Sequence, residues 1–313
     1  MEIEKKTSQK VIENSFEKNF TKLLPVFYEM QSTFLSGIYK RYGDLEGGQI
    51  IIYFARNLHL RVMRRREEDL NFDLSLEKFW FNHQNTVQDK QKIIAVSRFT
   101  GLPKETTRRK IINLTKLKHL KKSSKNSLYW EPASQYKETY MKIIKEQINS
   151  LSKFLFEQSK YLNINIPFTK FYKEIERNYC FYWFHYLNAQ LEYMKYWQLK
   201  TKDLEILLIG LQSVIQSLHD FKKPLQRNGT SLHSDISATS ISEVTGIPRA
   251  TCIRKLEWLT KAKFIKKDPE SKRYRLIYDR LTESLLSHPL TSTKATIEGF
   301  TDLSSIVYKS LLR

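Results

Sequence analysis

The sequence predicts a mainly α-helical protein that contains two copies of one module. Only nine of the 313 residues are Gly, and long stretches carry apolar residues three and four positions apart, the spacing of amphipathic helices. The stretch TGLPKETTRRKIINLTKLKHLKKS at 100–123 recurs as TGIPRATCIRKLEWLTKAKFIKKD at 245–268, and 12 of the 24 aligned positions are identical. A shift of 145 residues between the copies is too long for a solenoid repeat, so we expect a duplicated domain.

The same aspartate precedes an apolar stretch upstream of each copy. DLEGGQIIIYFARNL begins at Asp44 and DLEILLIGLQSVIQSL at Asp203, and each is predicted to form a helix. From the Asp to the TG pair there are 56 residues in the first copy and 42 in the second. We expect the difference of 14 residues to lie in the intervening loop, where insertions are tolerated.

A long amphipathic helix is predicted between the two copies. It starts after the helix-breaking WEPAS at 130–134 and carries one apolar stripe. The stripe consists of Tyr140, Ile143, Ile144, Ile148, Leu151, Phe154 and Leu155. The predicted organisation is therefore N-terminal helices with the first module at 1–132, a connecting helix at 133–164, the second module at 165–282 and a C-terminal helical tail at 283–313.

Each copy of the repeat divides into a short helix, a tight turn, a second helix and a hairpin. In the second copy Ser237 is placed to cap the short helix, Gly246 to close it in a left-handed conformation, and Pro248 in the first turn of the next helix. Two β-prone runs flank DPESK, a turn sequence. This order of elements is that of a winged helix-turn-helix, in which the second helix enters the major groove. The corresponding parts are 95–101, 102–117 and 118–132, then 237–246, 247–262 and 263–279.

The repeated stretch resembles a known DNA-binding module. TGLPKETTRRKIINL and TGIPRATCIRKLEWL are similar to the pattern TGLPxxTxxRxLxxL of IclR-type regulators, and the layout with helices outside the wing is similar to that of MarR-type proteins. The chain departs from the IclR pattern at Lys118 and Lys263, where that family has glycine before the first wing strand, and no IclR-type effector domain has room to follow. The resemblance implies that the residues at the matching positions face DNA: Lys104, Thr106, Arg109, Arg249, Thr251 and Arg254.

Positive charge is concentrated in the same segments. The chain has 53 Lys and Arg against 33 Asp and Glu, a net charge of +20 that is typical of proteins with a polyanionic partner, either nucleic acid or an anionic membrane surface. Residues 104–125 carry a net +8 and residues 249–275 a net +7. We therefore predict two groups of DNA-binding residues. The helix group contains Lys104, Thr106, Arg108, Arg109, Lys110, Arg249, Thr251, Arg254 and Lys255, and the wing group contains Lys122, Lys125, Lys272 and Arg273.

The aromatic stretch NYCFYWFHYLNAQLEYMKYW at 178–197 has two interpretations. It is predicted to be a core helix that packs the two modules together, and His185 within it a core residue. The alternative, which the MarR resemblance implies, is the wall of a pocket for a small, flat, apolar effector.

Other classes of protein are disfavoured. Cys180 and Cys252 belong to no CxxC or Cys/His cluster, so we expect no disulfide framework, metal or cofactor. The most apolar stretches are shorter than the roughly 20 residues that span a membrane, and the start of the chain lacks the features of a signal peptide, so a cytoplasmic protein is expected. GxSxG and HExxH motifs are missing and the seven histidines are scattered, so we do not expect an enzyme.

The expected function is sequence-specific binding of double-stranded DNA by a transcription regulator, either as a monomeric internal pseudo-dimer or as a homodimer. Because the second helices differ, KETTRR against RATCIR, we expect an asymmetric operator with two unequal half-sites. Two alternatives stay open at this point. One is a plasmid-type replication initiator, and the other is a winged-helix scaffold that binds proteins.

Overall fold

The computed structural model describes residues 6–123, 127–221, 235–277 and 288–313, and within them the fold is mainly α-helical, as predicted. These residues form thirteen helices and two antiparallel two-stranded hairpins. None of the described helices has both the length and the apolar character needed to cross a membrane. The helices are α1 (Gln9–Lys18), α2 (Phe20–Tyr42), α3 (Leu45–Glu68), α4 (Leu76–Gln84), α5 (Ile93–Thr100), α6 (Lys104–Lys116), α7 (Lys137–Lys160), α8 (Phe168–Arg177), α9 (Tyr179–Thr201), α10 (Leu204–Phe221), α11 (Ala238–Thr245), α12 (Arg249–Lys261) and α13 (His288–Leu312). The strands are β1 (Leu120–Lys122), β2 (Leu128–Trp130), β3 (Ile265–Lys267) and β4 (Tyr274–Leu276).

The duplication extends well beyond the repeated stretch of sequence. Helices α1 and α2 have the same lengths as α8 and α9 and start 159 residues earlier, at 9 and 20 against 168 and 179. Helices α3, α5 and α6 with the first hairpin then correspond to α10, α11 and α12 with the second hairpin. Helix α7, predicted as a connector, corresponds to α13, which lies in the predicted tail. The two copies therefore span 9–160 and 168–312, and we call them the first and second halves.

The two halves are interlocked rather than placed side by side. Within the first half α2 packs against α7, and within the second half α9 packs against α13. Between the halves α9 packs on α3 and α2 packs on α10. The first helix of each half also packs on the last helix of the other, α1 on α13 and α8 on α7. Apolar surface from both halves is therefore buried in one continuous core.

The predicted apolar stripes form this core. All seven residues of the α7 stripe are buried, which confirms the amphipathic helix, although it begins at Lys137 after a single 3-10 turn at Ser134–Tyr136. The aromatic helix α9 is buried along most of its length, as the core interpretation predicted. The Tyr308 hydroxyl of α13 donates a hydrogen bond to the Leu155 carbonyl of α7 at 2.7 Å, which ties the corresponding helices of the two halves together.

The helix–turn–helix–hairpin elements fold as the sequence predicts. Gly101 and Gly246 close α5 and α11 with φ values of 75° and 80°, the left-handed region that only glycine enters without strain. The Ser237 hydroxyl caps α11 by accepting a hydrogen bond from the Ser240 amide at 3.0 Å. Helix α12 begins at Arg249, so Pro248 is its N-cap and lies one residue outside the predicted first turn.

One strand-like residue ahead of each helix pair adds to the hairpin. Gln91 forms an antiparallel bridge with Leu128 of β2, and Ile236 forms the corresponding bridge with Tyr274 of β4. In the second half both backbone hydrogen bonds of this bridge measure 2.9 Å. Each hairpin is therefore anchored to the segment that precedes the helix pair, a contact that the sequence analysis did not predict.

The extra residues of the first half do not form the loop that we expected. Part of this insertion is helix α4, which begins at Leu76 with the Ser75 side chain as its N-cap. Phe79 and Trp80 on one face of α4 are buried against aromatic side chains of the core. The expectation of a loop was wrong because the insertion carries its own apolar face, which burial stabilises as a helix.

Candidate functional site

Helices α6 and α12 are oriented by the residues that they bury. Thr107, Ile111 and Leu114 of α6 are buried, and Cys252, Leu256 and Leu259 occupy the corresponding positions of α12 and are buried too. Ile247, just before α12, is buried as well. The opposite face of each helix is consequently turned to solvent.

The predicted helix residues share this outward face. Lys104 and Arg109 are exposed and Thr106 is half-buried, and in the second half Arg249 and Arg254 are exposed and Thr251 is half-buried. We call Lys104, Thr106 and Arg109 the first basic face, and Arg249, Thr251 and Arg254 the second basic face. The structure thus gives both halves a cation, a threonine and an arginine at matching positions.

The arginines of the two basic faces differ in their present contacts. Neither Arg109 nor Arg254 has a hydrogen bond or an ion pair with another described residue, so both guanidinium groups are open to a ligand. Arg249 donates a hydrogen bond from Nε to the Thr239 hydroxyl at 3.1 Å. This contact is exposed, and no other described residue hydrogen-bonds to the remaining guanidinium donors of Arg249.

Arg108 has a partner that the second half lacks. Its Nε and Nη2 lie 2.9 and 2.6 Å from the two carboxylate oxygens of Glu105, a bidentate ion pair along α6. The hydrogen bond from Arg108 holds the pKa of the Glu105 carboxyl below its usual value. The second half has Ala250 and Ile253 at the corresponding positions. Helix α6 therefore presents a neutralised arginine where α12 presents an apolar side chain.

Lys110 and Lys255, which we also predicted to contact DNA, differ from the residues of the basic faces because both are half-buried and form ion pairs with carboxylates. The Lys110 Nζ lies 2.6 Å from Asp44 Oδ2 and 3.1 Å from Glu46 Oε2. Although burial acts to lower it, the pKa of Lys110 is raised, because the hydrogen bonds and charges of the two carboxylates outweigh burial. These acids begin α3, so they are remote in sequence from the lysine that they bind.

The second half repeats the same arrangement. Lys255 forms an ion pair with Asp203, and its Nζ lies 3.3 Å from Glu205 Oε2. Asp203 also caps α10, since its Oδ1 accepts a hydrogen bond from the Glu205 amide at 2.9 Å. In both halves the lysine lies on the flank of its helix, between the buried and outward faces. There it forms ion pairs with carboxylates of a neighbouring helix of the same half.

The acidic partners are functional candidates that the sequence analysis missed. Asp44, Glu46 and Lys110 from the first half and Asp203, Glu205 and Lys255 from the second line one cleft of about 210 Å³. The remaining lining residues are Leu45, Lys202 and Leu204. The signal for this cleft was present in the repeated DLE at 44–46 and 203–205, which was interpreted only as the start of a helix.

The wing residues lie on or beside the hairpins. Lys122 is exposed on β1, and Lys272 is exposed in the turn between β3 and β4 with a φ of 55°. Arg273 follows it and donates a hydrogen bond to the Asp235 carbonyl at 3.5 Å. Lys125 lies outside the described residues.

The described part of the chain contains no cluster of metal ligands, and it leaves little space beside the inner part of the aromatic helix α9. No group of three or more His, Cys, Asp or Glu residues there is placed to hold a metal ion, and Cys180 and Cys252 are both buried and free. Beside the aromatic helix α9, Trp183 and Leu187 border a cavity of only about 20 Å³. That volume holds about one water molecule, so the described residues around this cavity leave no room for the effector that the alternative interpretation required.

Comparisons of the chain with protein-family models, with curated proteins and with solved structures gave no match.

Proposed function

We propose that this protein is a transcription regulator that binds double-stranded DNA sequence-specifically through two winged helix-turn-helix modules in one chain. The observation that carries the proposal is the pair of basic faces. Each presents, on an exposed helix face, a cation, a threonine and an arginine that pairs with no other residue in the described ranges, at positions that correspond in the two halves. Arginine can bond guanine bidentately in the major groove, and threonine can contact either base edges or the thymine methyl group.

The order of elements supports the assignment of the modules. In each half a short helix, a turn closed by a left-handed glycine, a second helix and a hairpin follow one another, and a bridge residue joins the hairpin from upstream. In a winged helix-turn-helix the second helix enters the major groove. Helices α6 and α12 are then the groove helices, and the hairpins with Lys122, Lys272 and Arg273 lie along the phosphates.

The interlocked halves support a single chain acting as an internal pseudo-dimer. Helices at the start and end of each half pack on the other half, so one molecule carries two modules in a defined relation. The two basic faces are similar but not identical, because Glu105 and Arg108 are replaced by Ala250 and Ile253. An asymmetric operator follows, with one half-site for each module.

Selection of bound duplexes from a random pool tests this function directly. A regulator of this kind enriches two unequal motifs at a constant separation, and its affinity falls steeply with salt because lysines and arginines displace counterions from phosphates. The double variant Arg109→Ala/Arg254→Ala is expected to lose the enriched motifs while staying folded.

The alternatives give different results in the same experiment. Enrichment of several copies of one motif in tandem would instead indicate a replication initiator. Absence of any salt-dependent affinity for duplexes would refute DNA binding and favour a protein-binding scaffold.

A further inference from the structure

The cleft between the two halves contains a pair of lysine clamps that the proposed DNA contacts leave unexplained. Each clamp joins the middle of a groove helix to the first turn of the third helix of the same half: Lys110 of α6 to Asp44 and Glu46 of α3, and Lys255 of α12 to Asp203 and Glu205 of α10. The Lys110 and Lys255 side chains are 22% and 13% exposed, so solvent weakens these ion pairs much less than it weakens those at the surface.

The acidic partners are held in place independently of the lysines. The Asp44 carboxylate accepts hydrogen bonds from the Glu46 and Gly47 amides at 3.3 and 2.8 Å. In the second half the Asp203 carboxylate accepts them from the Glu205 and Ile206 amides at 2.9 and 3.4 Å. Carboxylates at a helix N-terminus are stabilised by these amides and by the helix dipole. Each lysine is therefore anchored to a rigid point of the fold rather than to a mobile surface side chain.

The two clamps meet. Residues of both clamps line the same cleft of about 210 Å³, so the flanks of α6 and α12 that carry Lys110 and Lys255 approach each other there. The cleft contains four carboxylates against the three ammonium groups of Lys110, Lys202 and Lys255. Binding of a phosphate in this cleft is not favourable, because carboxylates already neutralise the lysines and the net charge of the cleft is negative.

We propose that Lys110 and Lys255 are positioning residues that set the separation of the two groove helices, and with it the spacing between the half-sites that the protein accepts. This inference rests on the proposed DNA-binding function. Its physical basis is that both groove helices are tied, through short ion pairs, to the same small region between the halves. Because the clamp residues make no contribution to the basic faces, the separation can change without loss of the base-contacting side chains.

The separation can be measured without DNA. Ile112 and Glu257 are exposed and occupy corresponding positions on α6 and α12, whereas the native Cys180 and Cys252 are buried. Nitroxide labels on Ile112→Cys and Glu257→Cys report the distance between the groove helices by pulsed electron resonance. We expect one narrow distance distribution for the otherwise unchanged chain and a broader or displaced one for Lys110→Met/Lys255→Met.

A matched control separates this effect from the loss of any lysine. Lys160→Met removes the exposed ion pair with Glu157 on α7, where Nζ and Oε1 are 2.7 Å apart, and should leave the distance distribution unchanged. Should Lys110→Met/Lys255→Met fail to fold, Asp203→Asn provides the test, because asparagine keeps the acceptor oxygen that caps α10 while removing the charge that holds Lys255. An unchanged distribution in the folded clamp variant overturns the proposal.

A second measurement links the clamps to DNA. The experiment uses a pool in which spacers of different length join the two selected half-sites, and the unaltered protein should prefer one spacer. In the clamp variant, the ratio of affinities for the preferred spacer and for the others should fall by about tenfold or more, the effect expected for loss of the ion pairs of one clamp. If the unaltered protein selects no duplex at all, the proposed function fails together with this inference. If it selects duplexes and the clamp variant retains the same spacer preference, only the positioning role is refuted.

Discussion

Two lysines hold the left-handed turn that precedes each hairpin. Lys118 and Lys263 have φ values of 59° and 57° and occupy corresponding positions before β1 and β3. Glycine is the residue that adopts this conformation without steric cost. The left-handed turn therefore forms in both halves although neither position has the residue that favours it.

Lys263→Gly should therefore stabilise the protein. Relief of the left-handed strain gains about 1–2 kcal/mol, and the greater freedom of glycine in the unfolded chain offsets about 0.4–1 kcal/mol of it. We expect a net gain on the order of 0.5 kcal/mol in the free energy of unfolding, measured by urea denaturation. Lys266→Gly within β3 is the control and should destabilise; a loss of stability for Lys263→Gly as well would contradict the strain argument.

His59 makes the stability depend on pH. It is fully buried beside Phe79, and burial together with nearby His83 lowers its pKa to about 3. In the unfolded chain its pKa is about 6.5, so between these values only the unfolded state binds the proton. The free energy of unfolding should fall as the pH drops from about 6.5 towards 3, by up to ~1.4 kcal/mol per pH unit for this group.

Denaturation at a series of pH values checks this. In His59→Leu the dependence should become shallower, with part of it remaining because burial also lowers the pKa of His119, to about 4. If the free energy of unfolding depends on pH with the same slope in the unaltered protein and in His59→Leu, His59 does not titrate in this way.

Arg254 and Lys272 should have different roles on DNA. Arg254 lies on the second basic face and Lys272 in the wing turn, and both are exposed. Arg254→Ala is expected to cost about 1–3 kcal/mol in binding and to relax the preference at one base pair. Lys272→Ala should weaken binding to all sequences alike and reduce the salt slope by about one unit. Binding titrations over several operators and salt concentrations distinguish the two; a uniform loss for Arg254→Ala would place that guanidinium on a phosphate.

At the scale of the element, α6 and α12 have the same core-facing side and different outward sides. Thr107, Ile111 and Leu114 match Cys252, Leu256 and Leu259 in burial. The Glu105–Arg108 pair exists only on α6. Packing constrains the buried positions in both halves, whereas the exposed positions are free to differ, and under the proposed function they would distinguish the two half-sites.

Glu105→Ala should strengthen DNA binding by the first module. Without its carboxylate partner the Arg108 guanidinium can neutralise a further phosphate, which makes the slope of log K against log salt steeper by about one unit. Glu257→Ala on α12 removes the same charge at an exposed position without releasing an arginine, so it serves as the matched control and should change the slope less. The same change of slope in both variants would mean that only net charge matters.

The elements also show what sequence patterns can predict. The α7 stripe, the capping Ser237 and the left-handed Gly246 were all predicted, because each depends on periodicity or on a few adjacent residues. Helix α4 was expected to be a loop. Its apolar face fits the helical spacing, but nothing local indicates that a core surface is available to cover it.

At the scale of the whole molecule, neither half is a complete folding unit. Helix α1 covers α13, α8 covers α7, and α9 lies on α3 of the other half. The Gln212 side chain of α10 also donates a hydrogen bond to the Ser32 hydroxyl of α2 at 2.9 Å. Separating the halves would expose a large part of the shared core to water. This exposure would cost about 25 cal/mol of free energy for each Å² of apolar surface.

Fragments 1–164 and 165–313 should therefore fold only together. When coexpressed they should purify as one complex with the helical circular dichroism of the intact chain, since the junction lies in the short segment between α7 and α8. Each fragment alone should aggregate or form a dimer with itself that replaces the missing half. A monomeric fragment with cooperative thermal unfolding would contradict the interlocked core.

The sequence by itself determined the mainly helical fold, the duplicated helix–turn–helix–hairpin elements and the basic faces, because periodicity, caps and exposed charge are recorded within short stretches of chain. It did not reveal that the predicted connector and tail are corresponding helices, because their sequences do not repeat. Nor did the sequence distinguish Lys110 and Lys255 from the lysines and arginines of the basic faces. Their partners lie 66 and 52 residues away, and only the tertiary structure brings a lysine on a helix flank within reach of a carboxylate that precedes it by such a distance.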